Sequence, residues 1–151
     1  MSKTNIENGT PPATVEDLEP VLNTHQRKIV GVAKVVHEAT RAFNETLGDF
    51  TYGPWSTTPP WYQRIMVECI TFLLTKNMDV NQLHIYWSGK MVENGWKYGI
   101  LMNPKTKEHP NIKNFKELAF EEQIKYAIFI SNVIAISPAL ARSAETSTTL
   151  N

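Results

Sequence analysis

Cysteine is almost absent: Cys69 stands alone in 151 residues, so no disulfide can form within the chain. That excludes a small secreted scaffold held by disulfides. Among Ile65, Met66, Ile70 and Leu73 the thiol reads as a small buried hydrophobe, which suits a reducing setting. Neither sign of charge is in excess either. Fifteen Lys and Arg oppose fifteen Asp and Glu, which removes any overall drive toward a phosphate backbone or an anionic surface. Nucleic acid and membrane are therefore not expected partners. No run of roughly eighteen apolar residues is present, and the first twenty residues lack the hydrophobic stretch of a secretory signal. The expected location is cytoplasmic.

Local catalytic signatures are missing as well. The chain has no G-x-S-x-G elbow, P-loop, H-E-x-x-H or G-x-G-x-x-G segment. His84 and His109 have no second His, Cys or carboxylate at the local spacing zinc requires, so neither metal nor cofactor is expected. An enzyme is not expected. The enzymatic alternative is a slow hydrolase of a nucleotide signal, its acid and base assembled from distant positions among Asp49, Glu68, His84 and His109.

What the chain does have is aromatic side chains, concentrated in its middle: all four Trp, five Tyr and six Phe lie between Phe43 and Phe129. The length fits one domain. Residues 1–13 and 139–151 are polar and read as flexible tails, residues 14–58 as an N-terminal helical extension with a linker, and residues 59–138 as the folded domain.

Periodicity places four helices between the tails. In the first, from about His25 to Leu47, Ile29, Val32, Val36, Phe43 and Leu47 share a face and Gly48 supplies the stop. Val30 and Val35 form a second apolar stripe on it, which makes a homo-oligomer expected. The second helix starts at Pro59-Pro60 and runs to about Lys76. The third starts at Asp79, with Gln82 completing a capping-box pattern, and stops at Asn94-Gly95. The fourth runs from about Phe120 to Ile136, with Pro138 as its natural end. Between Trp96 and Glu117 helical periodicity fails, and the alternation Trp96, Tyr98, Ile100 predicts a short strand or hairpin arm.

Four stretches then follow one another: His84-Ile-Tyr-Trp87, Asn94-Gly95-Trp96-Lys97-Tyr98-Gly99, Lys105-Thr-Lys107-Glu-His109-Pro110 and Phe115-Lys-Glu-Leu118. In order and spacing they resemble the ryanodine-receptor-type (RyR) domain, which runs HxxWA, GWxYG, a basic turn, HPxL, then an aromatic and a leucine before an acidic helix start. The resemblance covers roughly Pro60 to Ser137. Ser88 stands where Ala is usual, Ile112 where Leu is usual, Asn114-Phe115 where Pro-Tyr is common, and Ala119 where a polar cap often lies.

The resemblance implies a mainly α fold, a compact four-helix module with a small β element and an extra N-terminal helix. It also implies non-enzymatic binding of a small nucleotide-like ligand. In the channel repeats an adenine nucleotide is bound with help from Trp side chains. Small bacterial and phage versions are associated with sensing or sequestering nucleotide-derived signals. A phage sponge acting in the host cytoplasm, depleting a host immune nucleotide signal, is the role this implies.

The residues themselves suggest where such a ligand sits. Trp87 and Trp96 flank the helix stop at Gly95, where their rings can form a stacking wall. Tyr98 and His84 lie close by in the sequence, and His109 precedes a turn-fixing proline. Asn103, Lys105 and Lys107 make a basic loop that attracts phosphate. These eight residues are the candidate ligand-binding set. The bland reading of each is core for the tryptophans, an internally bonded imidazole for His109 and a solvated loop for the lysines. A protein-interaction module, with Trp55, Trp61 and Tyr62 as an exposed anchor patch, is the alternative from a different class.

Overall fold

The computed structural model describes residues 22–148, with side chains described through Ala139. The expected tail at residues 1–13 lies outside the described residues. Four α-helices are present among them: α1 (Thr24–Thr46), α2 (Pro60–Thr75), α3 (Val80–Glu93) and α4 (Phe120–Thr148).

Three of the helix starts follow directly from local chemistry. Asp79 caps α3: its carboxylate accepts from Gln82 N–H at 2.8 Å while the Gln82 side chain accepts from Asp79 N–H at 2.9 Å. A reciprocal cap of this kind is worth about 0.5–2 kcal/mol. Asn23 and Gln26 make the same exchange at the start of α1. Pro60 occupies the first turn of α2, where its missing N–H costs nothing. Gly95 closes α3 with φ +87°, the left-handed conformation that only glycine adopts cheaply.

α1 packs most extensively on α4 and next on α2; α2, α3 and α4 then close against one another. Ile29, Val32, Ala33 and Val36 from α1 meet Ile65, Cys69 and Ile70 of α2, Leu83 and Met91 of α3, and Val133 of α4 in one core. Val30, expected on a second stripe, is only 2% exposed and belongs to this core, whereas Val35 is 46% exposed. The second stripe is therefore split, with Val30 in the core and Val35 left on the surface. The anchor patch is corrected in the same way, because Trp55 is buried and Trp61 and Tyr62 pack against the core.

Helix α4 does not stop at Pro138. Proline removes an N–H and crowds the carbonyl four residues before it, here that of Ile134. The Ser137 hydroxyl donates to that carbonyl at 2.9 Å, so it keeps a partner and the backbone stays helical to Thr148.

The irregular segment forms two short strands, β1 (Lys97–Tyr98) and β2 (Glu108–His109), paired in parallel with Lys97 opposite Glu108 and Tyr98 opposite His109. A strand was expected here; the parallel pairing was not. The chain doubles back between them through an antiparallel bridge, Asn103 to Glu108, with Lys107 at φ 53°. Gly99 follows β1 so closely against Glu108 that a Cβ would collide with that side chain. This contact explains the glycine of the Tyr98-Gly99 pair.

Candidate ligand-binding site

A cavity of about 320 Å³ lies where α1, the 51–59 connection and the start of α2 face α3, α4 and the turn after β2. Small-molecule pockets occupy roughly 300–1,000 Å³, so it is large enough for a compact ligand. Trp61, Tyr62, Trp87, Tyr126 and Phe129 supply aromatic walls, and Met66, Cys69 and Leu83 supply apolar surface. His37, Arg41, His109, Asn111, Glu122 and Lys125 supply polar groups.

Ring contacts hold the walls in place. Trp87 meets His109 edge-on at 5.1 Å between centroids, and His84 stacks on Trp87 at 5.8 Å. Tyr62 packs edge-on against both Trp61, at 6.0 Å, and His37, at 5.5 Å. Behind them Trp96 packs against Trp61 at 4.6 Å.

Two buried histidines brace this shell. His37 places Nδ1 2.9 Å from the Tyr62 hydroxyl and Nε2 2.8 Å from the Gly53 carbonyl. His84 places Nδ1 2.7 Å from the Tyr126 hydroxyl and Nε2 2.6 Å from the Lys113 carbonyl. Burial pulls the His84 pKa below its usual value, with the Lys113 hydrogen bond opposing. Burial lowers His109 further, to about 4, so its ring is neutral and Nδ1 accepts from Asn111 N–H at 3.1 Å. Both tyrosine hydroxyls are pushed up by burial and stay protonated. Burial also raises the Cys69 thiol to about 12, which leaves it a poor nucleophile.

Charge enters from two helices. On α1, Arg41 binds Glu38 through Nε and Nη2 at 2.9 and 2.8 Å and Glu45 through Nη1 at 3.1 Å. A guanidinium has five N–H donors, so two remain. On α4, Lys125 lies 2.7 Å from Glu122, whose other oxygen accepts from the Asn111 amide at 2.8 Å. Among the described residues no cluster of three or more His, Cys, Asp or Glu is placed to hold a metal, and no helix is long and apolar enough to cross a membrane.

Residues 68–141 match the RyR domain family. The chain carries an RyR domain. No curated protein matches it. The cavity crosses the boundary of the matched segment: Trp87, His109, Asn111, Glu122, Lys125 and Tyr126 come from within it, whereas His37, Arg41, Trp61 and Tyr62 precede it. The N-terminal helix thus builds one wall against the RyR segment.

Of the eight candidate residues, the structure brings Trp87 and His109 to the cavity. His84 lies behind it as the support of Tyr126. Trp96 is buried and packs in the core. Tyr98 is exposed on β1, and Asn103, Lys105 and Lys107 lie in the exposed turn before β2. There the Asn103 side chain accepts from Lys105 N–H at 3.0 Å, and Lys107 reaches the end of α3. The cations at the cavity are instead Arg41 and Lys125. Each has an acidic residue three positions before it on its helix, a spacing that reads in sequence as a solvated ion pair.

Proposed function

We propose that this RyR-domain protein binds a small nucleotide-like molecule in the cavity and does not change it chemically. The observation that carries this reading is a cavity combining aromatic walls, Trp61, Tyr62, Trp87 and Tyr126, with two cationic side chains, Arg41 and Lys125. Stacking a nucleobase on an aromatic face is worth about 1–3 kcal/mol. A guanidinium with donors to spare suits phosphate oxygens. Two of the three histidines at the site speak against chemistry, and the third, His109, has its acceptor nitrogen Nδ1 taken by Asn111 N–H. A general base needs a nitrogen that can reach the substrate, and both nitrogens of His37 and of His84 are held in internal hydrogen bonds.

The test is a thermal-shift screen across ribonucleotides and cyclic nucleotides, followed by mass spectrometry of whatever stabilises the protein. A ligand that binds only the folded state raises Tm with its concentration, and it should be recovered intact. No shift from any nucleotide at millimolar concentration would overturn binding. Recovery of a cleaved product would overturn the non-enzymatic half.

A second reading, docking of a protein partner, is favoured by one observation: Ile100 and Leu101 are 82% and 78% exposed at a loop tip next to Met102, which lines the cavity. An Ile100→Ser/Leu101→Ser variant that keeps nucleotide affinity while losing concentration-dependent association in sedimentation would support it. Equal sedimentation of the two proteins would not.

A further inference from the structure

The hydrogen-bond polarity of the cavity can be worked out atom by atom. The Lys113 carbonyl, 2.6 Å from His84 Nε2, can only accept, so Nε2 carries the ring proton. The Ser88 hydroxyl, 3.5 Å from the same nitrogen, is too distant to compete. In an imidazole with one proton the other nitrogen accepts, so the Tyr126 hydroxyl donates its single hydrogen to His84 Nδ1. The same logic holds across the cavity. With one proton on the ring, Gly53 O fixes it on His37 Nε2, and Tyr62 then donates its hydrogen to His37 Nδ1.

Two separate backbone carbonyls, acting through two histidines, therefore impose one orientation on two tyrosines that line one cavity. Each hydroxyl has a committed donor and unused lone pairs. We propose that Tyr62 and Tyr126 are the specificity-determining residues of the site, held as hydrogen-bond acceptors, and that the ligand is one that presents N–H donors, an amino-bearing nucleobase. A ligand edged only by carbonyl or ether oxygens would leave those lone pairs unpaired and face them with its own. His109 supplies the complement: Nδ1 accepts from Asn111 N–H, so Nε2 carries a hydrogen and can donate to a ring nitrogen. This inference rests on the nucleotide-binding reading above and adds the sign of the recognition.

Calorimetric titration with adenosine, guanosine and cytidine 5′-monophosphates, each beside its N,N-dimethylamino counterpart, tests it on the unmodified protein. Dimethylation removes the amino donor and leaves the ring acceptors; guanine keeps its N1–H, so the adenosine and cytidine pairs are the decisive ones. The parent compound that binds should lose about ten-fold or more on dimethylation, the scale of one buried hydrogen bond left unmade. Tyr62→Phe or Tyr126→Phe should weaken the parent by a similar factor, and the dimethyl form should then lose little more. Trp87→Ala separates the two readings, because it should weaken parent and dimethyl forms alike through lost stacking. If Trp87→Ala weakens both while dimethylation changes nothing, nucleotide binding stands and the donor rule is overturned. If none of the three monophosphates binds, the amino-bearing-base proposal falls, while nucleotide binding itself is decided by the thermal-shift screen.

Discussion

The Lys107 ammonium donates to the Asn94 carbonyl at 2.7 Å and closes the C-terminus of α3 from thirteen residues downstream. A cation there satisfies a carbonyl the helix cannot and meets the negative end of its dipole. Lys107→Ala should cost about 0.5–1.5 kcal/mol of stability. Its effect on nucleotide affinity and on the salt dependence of binding should be nil. A drop in affinity with unchanged Tm would return Lys107 to the binding site.

The two tryptophans beside Gly95 should behave in opposite ways. Trp96 is 4% exposed and packs against Trp61, so Trp96→Ala should cost about 3–5 kcal/mol of stability. Trp87 faces the cavity, and Trp87→Ala should cost about 1–3 kcal/mol of nucleotide binding. Melting curves and titrations of both variants decide the matter. Nucleotide affinity lost in a still-folded Trp96→Ala protein would contradict the assignment.

How much of this was legible in the sequence depended on distance along the chain. The start of α3 was readable because Asp79 and Gln82 are three residues apart and bond only to each other's ends of the same turn. The stop at Gly95 was readable because a left-handed residue selects glycine. The failure at Pro138 was equally local but turned on a Ser137 hydroxyl, a neighbour that proline rules do not weigh. In the site, Trp87 and His109 were found because they lie close to one another in the chain's aromatic middle. Arg41 and Tyr62 were missed because they reach the cavity only through the packing of α1 and α2 against α4, which no period in the sequence reports. Tyr126 was missed because its partner, His84, is 42 residues away.

The valines of α1 give a direct test of how that helix is buried. Val30→Glu places a carboxylate in the core and should destabilise the protein by several kcal/mol, or about 3–5 by analogy with other unpaired buried charges. Val35→Glu lies on an exposed position and should change stability by no more than about 0.5 kcal/mol. Denaturant titration compares the two. Equal, small effects would mean that α1 does not pack as described.

The buried imidazoles set the acid side of the stability profile. His84 and His109 both have folded pKa values below the usual 6.5, the second at about 4, each chiefly because burial disfavours the charged ring. A unit or more above 6.5 both rings are neutral in the folded and unfolded chain, and pH has no leverage through them. As pH falls from 6.5 toward 4, the unfolded chain takes up protons that the folded chain refuses, so stability declines through this window. Asp49 acts later: hydrogen bonds from the Thr51 hydroxyl and N–H hold its pKa below 3.8, so its contribution is lost only as pH drops under that value. Tm should therefore be flat between pH 7.5 and 8 and fall steadily between 6.5 and 4, with Glu38, held low against burial by Arg41 and the Trp55 N–H, adding to the fall below about 4.5 and Asp49 below 3.8. His109→Asn keeps an oxygen to accept from Asn111 N–H but does not titrate, and should flatten the slope in the upper window without removing the lower phase. A wild-type Tm that holds constant from pH 6.5 to 4.5 would show that these rings are not buried as neutral groups, and the acceptor polarity of Tyr126, which depends on a singly protonated His84, would fall with it.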